Sequence, residues 1–200
     1  MPDHLMSNVH WWKMLHPSWT VRIWTDRDFG WLANQQLFDE AESIVPRDAV
    51  GQFRSDVARY EILLQHGGFY ADVDTHPMRP IDDSVLKHDA FAVKEDRTWI
   101  GNTYLGSAPG HPVFAEIIQG LQANVKRFRG RRANILSGPK YITNIWRRHG
   151  AYEAPTTWGF PYSYADVKRG TVPATIPDTA YAVHEWHHTR RLMEARTRGR

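Results

Sequence analysis

The stretch from Val50 to Asp74 changes its apolar period midway, and this change restricts the fold more than any other part of the chain. Phe53, Val57, Tyr60 and Leu64 recur at spacings of four, three and four, which predicts one face of a helix over about 47–65. Gly67-Gly68 then stops it, because glycine takes the left-handed conformation that closes helices. Phe69 to Asp74 follows as a predicted strand. Helical runs are also predicted over 5–15, 31–43, Pro112–Val125 and from Pro139 to Gly150, with strands at Thr20–Thr25, Ala90–Val93, Trp99–Leu105 and Ala180–Val183. Helices alternating with short strands predict an α/β fold with a parallel or mixed sheet flanked by helices. No internal repeat or low-complexity linker divides the chain. One domain over 1–188, followed by a basic tail over 189–200, is expected.

With 42% hydrophobic and 24% charged residues, the 200-residue chain is composed like a globular domain. It has no cysteine, which excludes a disulfide framework, thiol catalysis and thiolate metal sites. No run of 18 apolar residues is present, so no transmembrane helix is predicted. The first 20 residues do not read as a secretory signal, and a cytoplasmic location is expected. The net charge of +3 is a small surplus, but it is clustered. Lys126, Arg127, Arg129, Arg131 and Arg132 fall within seven residues, and five more arginines lie between Arg190 and Arg200. A solvated loop and tail is the plainer explanation; peripheral contact with an anionic membrane face is the sharper one. No nucleic-acid motif accompanies the clusters, and nucleic acid is not expected as a partner.

Side chains two apart on a strand share a face, so Asp72 and Asp74 are expected to converge while Val73 enters the core. Two carboxylates this close repel unless a cation lies between them. At a strand end of an α/β sheet, the pair suits Mn²⁺ or Mg²⁺ bound together with a phosphate-bearing substrate. A solvated turn is the ordinary alternative for Asp-x-Asp alone. The preceding helix adds Ser55, Asp56, Arg59 and Tyr60 as S-D-x-x-R-Y, with Asp56, Arg59 and Tyr60 on one face. Either this is a surface ion pair of little worth, or Asp56 receives sugar hydroxyls while Arg59 orients it and faces a phosphate.

The run from Ser55 to Asp74 resembles the DXD-containing sugar transferases of glycosyltransferase family thirty-two, with the large clostridial toxins' glycosylating domain as a more distant likeness. Further similar segments are Ser18-Trp19 through Arg22-Ile23-Trp24-Thr25-Asp26, Asn102 with Ala108-Pro109-Gly110-His111-Pro112, Ser137-Gly138-Pro139, and Ala182-Val183-His184 with Trp186. The resemblance implies a GT-A-like fold and retaining transfer of a hexose or N-acetylhexosamine. The donor would be a UDP- or GDP-sugar, the acceptor a saccharide or a lipid-linked one. It places Asp72 and Asp74 on the metal, Asp56, Arg59 and Tyr70 at the substrate, Asn102 near the reacting centre, and His184 as a further metal or phosphate contact.

Family members begin with a strand of the form I-P-K-x-I-H-Q-x-W, and this sequence opens on the helix expected after it. A truncated, inactive sugar-nucleotide-binding or interaction domain is therefore the alternative expectation. His184, Glu185 and His188 also spell H-E-x-x-H, a zinc-protease pattern when it lies on a helix. Ala180–Val183 reads as a strand, which argues against it. Trp158, in a Gly/Pro/aromatic stretch, is the tryptophan expected to touch an acceptor.

Overall fold

The computed structural model describes residues 3–186. Its helices are α1 (Asp3–Leu15), α2 (Gln35–Asp39), α3 (Ala41–Ile44), α4 (Val50–His66), α5 (Asp83–Leu86), α6 (Pro112–Arg127), α7 (Ala133–Leu136), α8 (Pro139–His149) and α9 (Tyr164–Arg169). Its strands are β1 (Gly68–Ala71), β2 (Thr75–Pro77), β3 (Ala90–Lys94), β4 (Ile100–Ser107), β5 (Tyr152–Ala154) and β6 (Ala182–His184).

The central sheet has the order β1-β4-β3-β5, and β2 with β6 forms a separate two-stranded ribbon. β1 and β3 both run antiparallel to β4, whereas β5 runs parallel to β3. The sheet is therefore mixed, as expected. One face is covered by α4, α6 and α8, through Tyr60, Leu63, Leu105, Phe114, Ile117 and Trp146. The other is covered by α1, the ribbon and the segment around Phe160, through Trp12, Phe91, Val93, Tyr104 and Tyr181. A further apolar cluster joins α4 to α2, α3, α6 and α7.

α4 behaves as its spacing predicts. Phe53, Val57 and Tyr60 are fully buried, and Gly67 stands at φ 65° with its N–H on the Leu63 carbonyl at 2.9 Å. α6 buries Val113, Ile117 and Leu121. Pro139 opens α8, and Gly150 closes it in the left-handed region.

Three expectations are corrected. Residues 20–25 form no strand; Val21 packs into the cluster beside β3 and Trp24 into the one beneath α4. Their alternation serves to cross between two clusters, and no neighbouring strand pairs with them. The helix expected over 31–43 is two short ones. The buried Glu61 carboxylate takes the N–H groups of Ala33 and Asn34, which delays the start, and the chain breaks again at Glu40. The strand expected from Phe69 to Asp74 ends at Ala71, and Val73 is 38% exposed, not in the core. Trp158 packs edge-on against Tyr181, with ring centroids 5.0 Å apart, and joins the apolar cluster there. The expected tail over 189–200, and His188, lie outside the described residues.

Candidate active site

α4 and β1 form an antiparallel pair joined at Gly67-Gly68, so the residue after β1 returns to the first half of α4. There the buried Arg59 gathers the site. Its Nε donates to the Ser55 carbonyl at 3.1 Å, and one terminal nitrogen donates to Ser55 Oγ at 2.8 Å. The other donates to the Asn102 carbonyl at 2.5 Å. The same guanidinium is paired with Asp56 at 3.2 Å and with Asp72 at 3.1 Å. It also lies over the Tyr70 ring, 4.7 Å from its centroid. Arginine suits this place because its planar fork presents several donors without deprotonating.

Asp56 is 1% exposed. Besides Arg59, it accepts from Ser137 Oγ at 2.7 Å and from Asn102 Nδ2 at 2.8 Å. Burial pushes its carboxyl up to about 6, against the pull of Arg59, Ser137 and Asn102, and it is ionised at neutral pH. With its oxygens occupied inside the fold, Asp56 anchors its neighbours and does not face solvent. Asn102 is 7% exposed and also donates to Tyr60 Oη at 3.0 Å. Tyr60 in turn donates to the Ser137 carbonyl at 2.6 Å. The segment Ser137-Gly138-Pro139 acquires a physical reason here. Ser137 bonds Asp56, and Pro139 starts α8. At Gly138 a Cβ would meet Asn134 Cα at 2.9 Å, so glycine lets the chain close over the carboxylate.

An irregularity in the sheet aims Asn102. Ala92 pairs with Leu105 but Lys94 pairs with Ile100, so between these pairs one residue of β3, Val93, opposes four of β4, Gly101–Tyr104. The surplus shifts the alternation, and Asn102 joins Leu105 on the α4 side while Tyr104 packs on the opposite face. Bulges commonly re-aim side chains beside active sites.

Asp72 and Asp74 meet across a turn and not along a strand. Thr75 N–H and Oγ1 donate to the Asp72 carbonyl at 3.1 and 2.6 Å, curling the chain between β1 and β2. Tyr70 Oη donates to Asp72 Oδ1 at 2.9 Å. The ribbon brings His184 alongside, because Thr75 pairs with it in register. His184 Nε2 lies 3.4 Å from Asp74 Oδ1. One ligand atom from each of Asp72, Asp74 and His184 lies within 4.8 Å of the others. Burial pulls the His184 imidazole down, but its hydrogen bond to Asp74 and the charges of Asp74, Asp72 and Glu95 outweigh that and leave it raised. Its Nδ1 is buried without a hydrogen-bond partner among the described residues. Two hard oxygen donors and one borderline imidazole nitrogen fit a divalent cation such as Mn²⁺.

Several contributors escape the sequence patterns. Asn8 of α1, 3% exposed, donates to the Val73 carbonyl at 3.3 Å and to Glu185 at 3.0 Å. The Glu185 N–H donates to the Asp74 carbonyl at 2.9 Å. Nothing in the sequence marks Asn8. Tyr60 is visible within S-D-x-x-R-Y but reads as a core residue. His184 and Glu185 sit at a strand end, not on a helix, which removes the protease pattern; His188 lies outside the described residues.

A buried arginine that gathers two aspartates thus stands beside an Asp-x-Asp turn on a mixed α/β sheet. Residues 2–92 match the family described as the glycosyltransferase sugar-binding region containing DXD motif, and over that stretch the chain is similar to these DXD-containing glycosyltransferases. Mannosyl phosphorylinositol ceramide synthase CSH1 of Saccharomyces cerevisiae is 30% identical over 145 residues, 68% of this chain and 36% of that protein. Inositol phosphoceramide mannosyltransferase 2 of Schizosaccharomyces pombe is 30% identical over 140 residues, 68% of this chain and 39% of its own length. The initiation-specific alpha-1,6-mannosyltransferase of the same yeast is 23% identical over 140 residues, 58% of this chain and 35% of its own length. The chain thus spans well under half of these relatives. Among solved structures, the PaToxG glycosyltransferase aligns with a TM-score of 0.48 at 17% identity, covering 72% of this chain and 52% of that one.

Proposed function

We propose that this chain transfers a hexose from a nucleoside-diphosphate sugar to a lipid-linked acceptor, with Mn²⁺ or Mg²⁺ held by Asp72, Asp74 and His184. The observation that carries the reading is the convergence of these three residues directly above the Arg59–Asp56–Asn102 network. Mannose is the sugar, and a phosphoinositol-type lipid the acceptor, that the names of the two relatives sharing 30% identity favour.

The barrier in glycosyl transfer is separation of a sugar cation from a diphosphate leaving group. A divalent ion held by Asp72, Asp74 and His184 would supply positive charge against that diphosphate. The chain's own residues keep the ligands in place. Arg59 and Tyr70 fix the Asp72 carboxylate from below. Asn8 and Glu185 hold the backbone of Val73 and Asp74. Asp56 holds Arg59 and Asn102 in one orientation, so it is a positioning residue. The pre-set charges mean that little rearrangement accompanies the reaction.

The test is nucleoside-diphosphate release from a panel of UDP- and GDP-sugars, with Mn²⁺ or with EDTA, beside Asp74→Asn. Release from one donor, dependent on Mn²⁺ and lost in the variant, is expected. A folded protein that releases nothing but binds nucleotide would instead favour the inactive sugar-nucleotide-binding domain, and one that binds no nucleotide the interaction domain.

A further inference from the structure

No aspartate or glutamate occurs between Glu116 and Glu153, a stretch that contains Lys126, Arg127, Arg129, Arg131, Arg132, Lys140, Arg147 and Arg148. The structure divides seven of these cations into two groups and sets Lys140 over the Trp99 ring. Arg147 and Arg148 are paired with Glu153 and Glu116. The five between Lys126 and Arg132 are all exposed, and none makes an ion pair among the described residues.

Their loop is fixed in shape and position. Phe128 is half-buried against the apolar cluster beneath α4, and its carbonyl accepts the Arg131 N–H at 3.0 Å. Gly130, at φ 84°, supplies the reversal between them. The chain direction places the loop at the DXD end of the molecule. β4 leaves that end at Asn102, and α6 returns to it. Asn124, in the last turn of α6, donates to the carbonyls of Ile135 and Leu136 at 3.0 and 2.8 Å. The next residue is Ser137, whose hydroxyl is on Asp56. Only α7, four residues or about 6 Å of helix, separates Arg132 from the active-site network.

We propose that the loop 126–132 docks this chain on an anionic lipid bilayer, with the DXD turn at the end of the molecule that faces the lipid. The proposal rests on the lipid-linked acceptor reading above. A concentrated patch of unneutralised cations is attracted to an anionic leaflet, by about fivefold in partitioning for each Lys or Arg near the surface. Paired cations such as Arg147 and Arg148 contribute little, so the loop supplies the contact. Docking at this end would present a headgroup to the donor site without requiring the lipid to leave the bilayer.

The experiment is sedimentation of the full 200-residue chain with sucrose-loaded vesicles of phosphatidylcholine, alone or with about one-third phosphatidylserine, at low and at high salt. It is run beside Lys126→Gln/Arg129→Gln/Arg131→Gln, which spares Arg127 on Phe128 and Arg132 at the start of α7. Wild type should bind only the phosphatidylserine vesicles, release at high salt, and lose on the order of 100-fold in partitioning in the triple variant. Donor release should be unchanged in that variant. Wild type remaining in the supernatant at low salt, or the triple variant binding as tightly as wild type, overturns the proposal. So does tight binding to RNA or heparin with none to vesicles. Vesicle binding with no donor release from any sugar would overturn the transferase reading and leave the docking surface standing.

Discussion

Arg59→Met isolates what the buried cation does. Methionine matches the length of the arginine stem and removes the charge and every donor. Asp56, 1% exposed, then keeps only Ser137 and Asn102 as partners. Breaking a buried pair from one side costs about 3–5 kcal/mol, because the remaining charge stays desolvated. At about 2–4 °C per kcal/mol for a chain of this size, the expected fall in Tm is about 6–20 °C at pH 7.5. Asp72 adds little to the cost, since its side chain is 22% exposed and water replaces part of the lost contact. Adding Asp56→Asn should therefore restore a large part of the loss. The deficit must also depend on pH. The Asp56 carboxyl already stands raised to about 6 with Arg59 present, against 3.8 for an ordinary aspartate, and loss of the cation raises it further. A folded-state pKa above the unfolded one means that the folded form takes up the proton first, so the deficit shrinks as pH falls from 8 toward 4. Thermal unfolding followed by circular dichroism at pH 8, 7, 6 and 5, without metal, measures all of this. A deficit below about 1 kcal/mol at pH 7.5, or one that is flat between pH 8 and 5, would refute the argument that Arg59 compensates a buried carboxylate.

Three further outcomes are expected. Ser137→Ala removes a hydrogen bond to a buried charge and should cost about 1.5–3 kcal/mol in urea unfolding, while Ser137→Thr keeps the hydroxyl and should cost less. Gly67→Ala places a Cβ 2.6 Å from Pro109 Cδ and 2.8 Å from the Ser107 carbonyl at φ 65°, so it should destabilise by more than about 1 kcal/mol, read as a lower urea midpoint. His184 is raised above its ordinary 6.5, so its contribution to stability is present below that pH and is lost as pH rises through its folded value. The metal-free Tm should fall between pH 6 and pH 8, and His184→Asn should flatten that slope.

The sequence made the helical pieces of this fold legible where apolar spacing was regular and punctuation strong, as in α4 with Gly67 and in α8 between Pro139 and Gly150. It misled where alternation served another purpose. Val21 and Trp24 alternate because they enter two different clusters, and no single-chain pattern distinguishes that from strand pairing. Of the site, the residues within twenty positions of one another could be grouped from spacing alone. Their geometry could not, because Asp72 and Asp74 are joined by a turn whose hydrogen bonds come from Thr75. Spacing presents Asp56 as open to a sugar, yet Ser137, 81 positions away, closes over it. Asn8 reaches the Val73 carbonyl over 65 positions, and no local period reports such a contact.

The irregular pairing of β3 with β4 has a consequence for anyone seeking a hardier version of this protein. A regular ladder there would gain backbone hydrogen bonds and lose three surplus residues, the kind of change a search for greater stability selects. The surplus lies among Gly101–Tyr104, so that repair would either delete Asn102 or, because three is odd, turn it away from Asp56. The sheet and the site make opposing demands on the same few residues. Selection for thermal resistance alone would tend to erase the machinery while improving the scaffold, so any such programme needs an activity screen at every round.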